Sequence, residues 1–252
     1  MRAVPSRSRW FVPWRETEGA RVRLLCLGHG GSGVARFKEW GELLPGDVDV
    51  VGVRLPGRES RRRETPLTSI EDVVAAVADE LDAAGRWPVA LAGLCFGALV
   101  MFELARELRR RGAPTPLHLV VVSQTAPSEI APKPPGSPLL SEGPLDVALR
   151  TMGETPEEIL DHPSLLALIE HAIRADLRAS ETYRYRPEEP LAVPITAIAA
   201  LGDPTVSVEE TEPWALETSA GFELRMLDGD HLFTGESSER LVGAVADALA
   251  QR

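Results

Sequence analysis

Hydrophobic residues along this chain follow two periods. Short apolar runs recur at Val22–Leu27, Val48–Val53, Val89–Ala92, Leu117–Ser123, Ile195–Ala200 and Phe222–Leu227. Such runs, bounded by turn-forming residues, predict buried strands. Between them, apolar residues return at intervals of three and four. Ile70, Val73, Val74, Val77 and Leu81 predict a helix reaching about Ala84, opened by Thr68-Ser69-Ile70-Glu71 at capping-box spacing. Leu99, Val100, Phe102, Leu104 and Leu108 predict another over Phe96–Arg111. Its basic end, from Arg106 to Arg111, suits the helix dipole and reads as a solvated terminus. A last helix runs from about Ser237 to Ala250. Strands alternating with helices predict a mostly parallel central sheet with helices on both faces.

The alternation breaks in the middle. Residues Pro127 to Pro144 are rich in proline and read as a loop. Helical signals follow at Leu145–Met152, at Thr155-Pro156-Glu157-Glu158, and from Pro163 to about Tyr183. The expected organisation is one domain over 1–252, with 127–189 as an inserted helical lid above a pocket. A helical subdomain with no gating role is the simpler alternative.

Composition narrows the possibilities. The 252 residues carry a formal net charge of −11, which disfavours non-specific nucleic-acid binding. No run approaches the length of a membrane span, and no signal peptide is evident, so a cytoplasmic location is expected. The two cysteines, Cys26 and Cys95, make no disulfide framework and no metal-type spacing. Cys26, inside an apolar run, reads as a small core residue.

The chemistry gathers where strands end. Gly93-Leu94-Cys95-Phe96-Gly97 joins an apolar run to a helical pattern. This is the form of a nucleophile elbow, the strand-to-helix turn of the α/β-hydrolase fold. Gly28-His29-Gly30-Gly31-Ser32-Gly33 follows the first strand. It fits a dinucleotide fingerprint poorly, lacking an acidic residue at the expected distance, and it has no Walker lysine. An oxyanion loop, where small residues let backbone N–H groups approach a carbonyl, fits better. Asp203 and His231 each lie just past a later apolar run, which completes the chain order nucleophile, acid, histidine. In this reading Cys95 attacks, His231 moves the proton, and Asp203 orients the imidazole. The Phe96 and Gly30 N–H groups hold the oxyanion, and His29 and Gly31 line the substrate's approach. Asp228 and Asp230 compete for the acid role but sit very near His231 in sequence. His118, His162 and His171 read as structural.

Several separated motifs then resemble one family, the type II thioesterases that accompany polyketide synthases and non-ribosomal peptide synthetases. Gly28-His29-Gly30-Gly31-Ser32 resembles its His-Ala-Gly-Gly-Ser loop. Arg54-Leu55-Pro56-Gly57-Arg58-Glu59 resembles its Pro-Gly-Arg segment, and Met152 to Leu160 its lid motif. Ala175-Asp176-Leu177-Arg178 with Tyr183-Arg184-Tyr185 also looks familial. Gly202-Asp203-Pro204 and Gly229-Asp230-His231-Leu232-Phe233 resemble the segments bearing the catalytic aspartate and histidine. The resemblance spans about Val22 to Ala250. It implies a substrate acyl group carried as a thioester on the phosphopantetheine arm of an acyl or peptidyl carrier protein, and no cofactor or metal of the enzyme's own. The arginines at 54, 58, 61, 62 and 63 are a candidate docking patch for that partner, with a solvated arginine run as the alternative.

Three departures from the family stand out. Cys95 occupies the place of its usual serine, Asp230 the place of a glycine, and the turn before Asp203 is shortened. A cysteine with a histidine base is a competent acyl acceptor. The resulting acyl-cysteine is again a thioester. Hydrolysis is the expected outcome, transfer to an amine, a thiol or a second carrier the alternative, and a non-catalytic carrier-binding module the further alternative.

Overall fold

All six predicted strands form, and with a seventh at one edge they build one sheet in the order β1-β3-β2-β4-β5-β6-β7. In the computed structural model, which describes residues 8–85, 88–132, 134, 140–152 and 162–250, these are β1 (Phe11–Arg15), β2 (Val22–Leu27), β3 (Val48–Val53), β4 (Val89–Leu94), β5 (Leu119–Val122), β6 (Ile195–Ala200) and β7 (Phe222–Leu227). All neighbours from β3 to β7 pair in parallel. β1 alone runs antiparallel, against β3, with an irregular register between Pro13 and Arg15. The hydrophobic pattern does not predict β1. Its Pro13 cannot donate to a ladder, which confines such a segment to an edge, where this one lies.

The helices cover both faces, as the alternation predicts. α2 (Ile70–Ala84) and α3 (Phe96–Arg110) share one core with Leu25, Leu27, Leu91 and Val121. α1 (Phe37–Leu43) and α6 (Glu236–Ala250) share the other with Leu24, Cys26, Ala90, Ala92 and Val120. Neighbouring residues of one strand thus serve opposite cores, the period of two expected of a sheet buried on both sides. Cys26 is fully buried, and burial pushes its thiol well above the ordinary value, which makes it an inert core residue.

Residues between β5 and β6 form the insertion. It contains α4 (Leu145–Met152) and α5 (Pro163–Thr182), packed through Leu145, Leu149 and Ile173. Residues 153–161, with most of the familial lid motif and the second helical signal, at Thr155–Glu158, lie outside the described residues. Downstream of α5, Tyr183 donates to Glu103 Oε1 on α3 at 2.7 Å. Arg106 corrects the solvated reading of the α3 terminus. It is 2% exposed, paired with Glu103 and Glu188, while Arg109, Arg110 and Arg111 are all ion-paired. Through Arg106, Arg109 and Arg110, which all reach Glu188, the basic end of α3 clamps the chain returning from the insertion, whereas Arg111 pairs with Asp79 and Asp82 on α2.

Strand order locates the site. From β2 the chain moves outward to β3, then returns to β4 on the other side of β2. Such a reversal opens a crevice outside the carboxyl ends of the two strands. The Gly28 loop leaves β2 there, and Cys95 leaves β4 there.

Candidate active site

Cys95 sits between β4 and α3 with φ 51° and ψ −119°. That left-handed backbone is costly for a residue with a side chain and is held by its neighbours. Its N–H donates to the Val122 carbonyl at 2.8 Å, and its carbonyl accepts from Ala98 at 2.8 Å. The glycines on either side are needed sterically. A Cβ on Gly93 would stand 2.3 Å from the Gly97 carbonyl oxygen, and one on Gly97 would stand 2.2 Å from that of Leu27. The first turn of α3 is thereby pressed against the end of β2, where the Gly28 loop begins. The thiol is partly exposed, unlike that of Cys26.

Asp203 and His231 meet across the sheet edge. Asp203 Oδ2 lies 2.7 Å from His231 Nδ1, and both side chains are buried. The shortened turn before Asp203 therefore still delivers its carboxylate to the imidazole. Asp203 Oδ1 accepts the N–H groups of Thr205 and Val206, at 2.8 and 3.0 Å, and the Thr205 hydroxyl at 2.8 Å. Burial pushes this carboxyl up, but the hydrogen bonds from His231 and Thr205 outweigh it and hold it below its ordinary value. Thr205 Oγ1 also lies 2.9 Å from His231 Nδ1. Its single proton goes to Asp203, so toward the imidazole it accepts. Nδ1 thus faces two acceptors and carries the ring proton, which leaves Nε2 as the basic nitrogen.

Asp230 has a different task from Asp203. It accepts from the N–H groups of Leu232 and Thr234 and from the Thr234 hydroxyl. It therefore pins the turn carrying His231, where Phe233 adopts φ 50°. Arg36 supports the same turn by donating to the Leu232 carbonyl at 2.9 Å. His118 is buried, 2.8 Å from Thr196 Oγ1 between β5 and β6, whereas His162 and His171 are exposed at or on α5.

Two backbone donors sit at the ends of adjacent strands, Phe96 just after Cys95 and Gly30 in the loop that leaves β2. Among the described residues, neither the Phe96 nor the Gly30 N–H has an acceptor. Idle N–H groups at a helix start and in a glycine loop are what an oxyanion site requires. Gly31 differs, because its N–H donates to Asp176 on α5 at 2.7 Å. His29 Nδ1 lies 3.0 Å from the Gly30 carbonyl, so it donates there. Burial, joined by the positive charge of Arg36, pushes the His29 pKa down to about 4, and the ring is neutral near pH 7. His29 also borders an open hollow of about 410 Å3 with Arg36, Leu232 and Phe233.

Sequence reasoning missed Thr205, Arg36 and the Arg58–Asp176 pair. Thr205 had a faint signal, since Asp-x-Thr favours a side-chain turn. Arg58 and Asp176 had none beyond familial likeness, because they stand 118 positions apart. The arginine patch also divides. Arg58 and Arg61 are buried and bonded to Asp176 and Glu64, and Arg61 lies over the Trp10 ring. Arg54, Arg62 and Arg63 make no ion pair among the described residues.

Residues 22–249 match the family model described as "Thioesterase domain". The chain is 34% identical over 235 residues to the gramicidin S biosynthesis protein GrsT of Aneurinibacillus migulanus, covering 93% of this chain and 91% of that protein. The structure of RedJ, a thioesterase from the prodiginine biosynthetic pathway in Streptomyces coelicolor, superposes with a TM-score of 0.83 at 36% identity, covering 91% of this chain and 86% of that one. That of BorB, a type II thioesterase from the borrelidin biosynthetic cluster, gives 0.84 at 32% identity, covering 95% and 97%.

Proposed function

The chain belongs to the thioesterase family, and from that premise we propose that it is a type II thioesterase of polyketide and non-ribosomal peptide biosynthesis in which Cys95, His231 and Asp203 carry out hydrolysis through an acyl-cysteine intermediate. The observation that supports this most is the fixed tautomer of His231, whose Nδ1 is held by Asp203 and Thr205. In the first half-reaction Nε2 takes the Cys95 proton and the sulfur attacks the thioester carbonyl. The Phe96 and Gly30 N–H groups receive the developing oxyanion. The tetrahedral intermediate collapses, the carrier thiol departs with the proton from His231, and the acyl group remains on Cys95. In the second half-reaction His231 takes a proton from water, the hydroxide attacks the acyl-cysteine, and the free acid leaves as the Cys95 sulfur is reprotonated.

The substrate in this reading is an acyl group on the phosphopantetheine arm of an acyl or peptidyl carrier protein, and the enzyme uses no cofactor of its own. Among the described residues, no group of three or more His, Cys, Asp or Glu could hold a metal. Arg62 and Arg63, with Arg9 and Ser60, border a hollow of about 310 Å3 that suits an acidic carrier surface. The insertion over 127–189 acts as the lid, and the enzyme works in the cytoplasm. No helix among the described residues is long and apolar enough to cross a membrane.

Cys95 supports a second reading, transfer to an amine, a thiol or another carrier. Exchange of one thioester for another is nearly balanced in energy, and an acyl-cysteine awaits whichever nucleophile reaches it. The intact Asp203–His231 pair argues against a purely non-catalytic carrier-binding module. One experiment tests all three: incubation with an acyl-carrier protein, with and without added amines, followed by intact mass. An acyl adduct on Cys95 that decays to free acid supports hydrolysis. Amide products that outpace the acid support transfer. No adduct and no loss of acyl from the carrier would sink the enzymatic reading.

A further inference from the structure

Helix α5 reaches the glycine loop through one side chain. Asp176 is 1% exposed. Its Oδ2 accepts the Gly31 N–H at 2.7 Å, and its Oδ1 accepts from Arg58 Nη2 at 2.8 Å. Arg58 in turn donates from Nη1 to the Ser32 carbonyl at 3.1 Å. The helix approaches so closely that a Cβ on Gly31, which sits at φ 77°, would stand 2.2 Å from Ile173 Cγ1.

Resting on the hydrolytic reading above, we propose that Asp176 is a positioning residue for the oxyanion site. It ties the Gly30–Gly31 peptide to α5 and so aims the neighbouring Gly30 N–H at the reacting carbonyl. The Gly30–Gly31 peptide is a planar unit, held at its N–H end by Asp176 and at its carbonyl end by His29 Nδ1. Two successive glycines would otherwise sample a wide range of dihedrals. An oxyanion donor contributes only when its direction is set before the charge develops. With the Gly31 N–H committed to Asp176, the Gly30 N–H beside it is a loop donor with no acceptor among the described residues. A buried ion pair is a poor source of net stability, but it fixes direction well. The seating of α5 is thereby written into the geometry at Cys95.

Two reactions at the same sulfur test this. Acylation by a short acyl thioester needs an oxyanion site, whereas alkylation by iodoacetamide needs only the thiolate. Asp176→Ala is expected to slow single-turnover acylation about 100-fold, the usual loss for one oxyanion donor, while alkylation stays within about twofold. Asp176→Asn, which keeps an acceptor for Gly31, is expected to recover most of the acylation rate. The double variant Arg58→Met/Asp176→Leu strands no buried charge. It is expected to keep the wild-type Tm and still acylate slowly, so the test survives a poorly folded Asp176→Ala. Unchanged acylation in the double variant overturns the proposal. So does an equal fall in acylation and alkylation, which would mark a merely structural role. If wild-type Cys95 is alkylated yet accepts acyl groups from neither carrier nor small thioester, the hydrolytic reading fails, and this proposal with it.

Discussion

At the scale of single residues, the imidazole of His231 is placed by three groups. Asp203 receives its Nδ1 proton, Thr205 bonds both partners, and Asp230 braces the turn beneath it. Asp203→Asn should reverse the ring's preferred tautomer and lower kcat by about 10³–10⁴-fold, measured as steady-state release of acid from an acyl thioester. Thr205→Val removes one hydrogen bond to the charged pair and keeps the backbone donors, so a loss of roughly tenfold in kcat with little change in KM is expected. His29 provides a pH test. Its folded pKa is about 4 against an ordinary 6.5. Between those values the unfolded chain binds a proton that the folded protein refuses. The contribution is full above 6.5 and is lost as pH falls toward 4. His29→Asn should therefore flatten the decline of urea midpoints over that window, and an unchanged slope would contradict the assignment.

At the scale of elements, the elbow is the most legible part of the molecule. Gly93 and Gly97 announce a close approach, and the structure shows which atoms approach. Gly97→Ala would drive a methyl group into the Leu27 carbonyl, a backbone atom that cannot swing aside. A loss of about 3 kcal/mol or more is expected, read as a lower urea midpoint, together with weakened acylation because the same contact sets the Phe96 N–H. The long helices were legible for a related reason, since α2 and α3 each repeat an apolar stripe over 15 residues. β1 and α1 were not. β1 has five residues including Pro13, and α1 has seven, too few to establish a period. They form because the free edge of β3 and the apolar face beneath Phe37 and Trp40 recruit them.

At the scale of the whole molecule, a chain of net charge −11 carries Arg62 and Arg63, which make no ion pair among the described residues, at a surface hollow shared with Arg9 and Ser60. Reversing two of them, Arg62→Glu with Arg63→Glu, should raise KM for an acyl-carrier protein by roughly tenfold at low salt. Turnover of a small thioester should not change, and the difference should shrink as salt is added. Equal loss on both substrates would place the defect in the fold rather than in docking. The placement of β2 to β7, the sheet class, the elbow and the candidate acid and histidine were readable from sequence, because each is written in neighbouring residues or in a short period. Which arginines are buried, which loop amide is already taken, and how α5 meets the glycine loop were decided only by tertiary structure. Arg58 and Asp176 show why: a contact across 118 residues has no local signature. It exists only once the sheet has brought the end of β3 and the inserted helix to the same edge, where burial leaves each charge no better partner than the other.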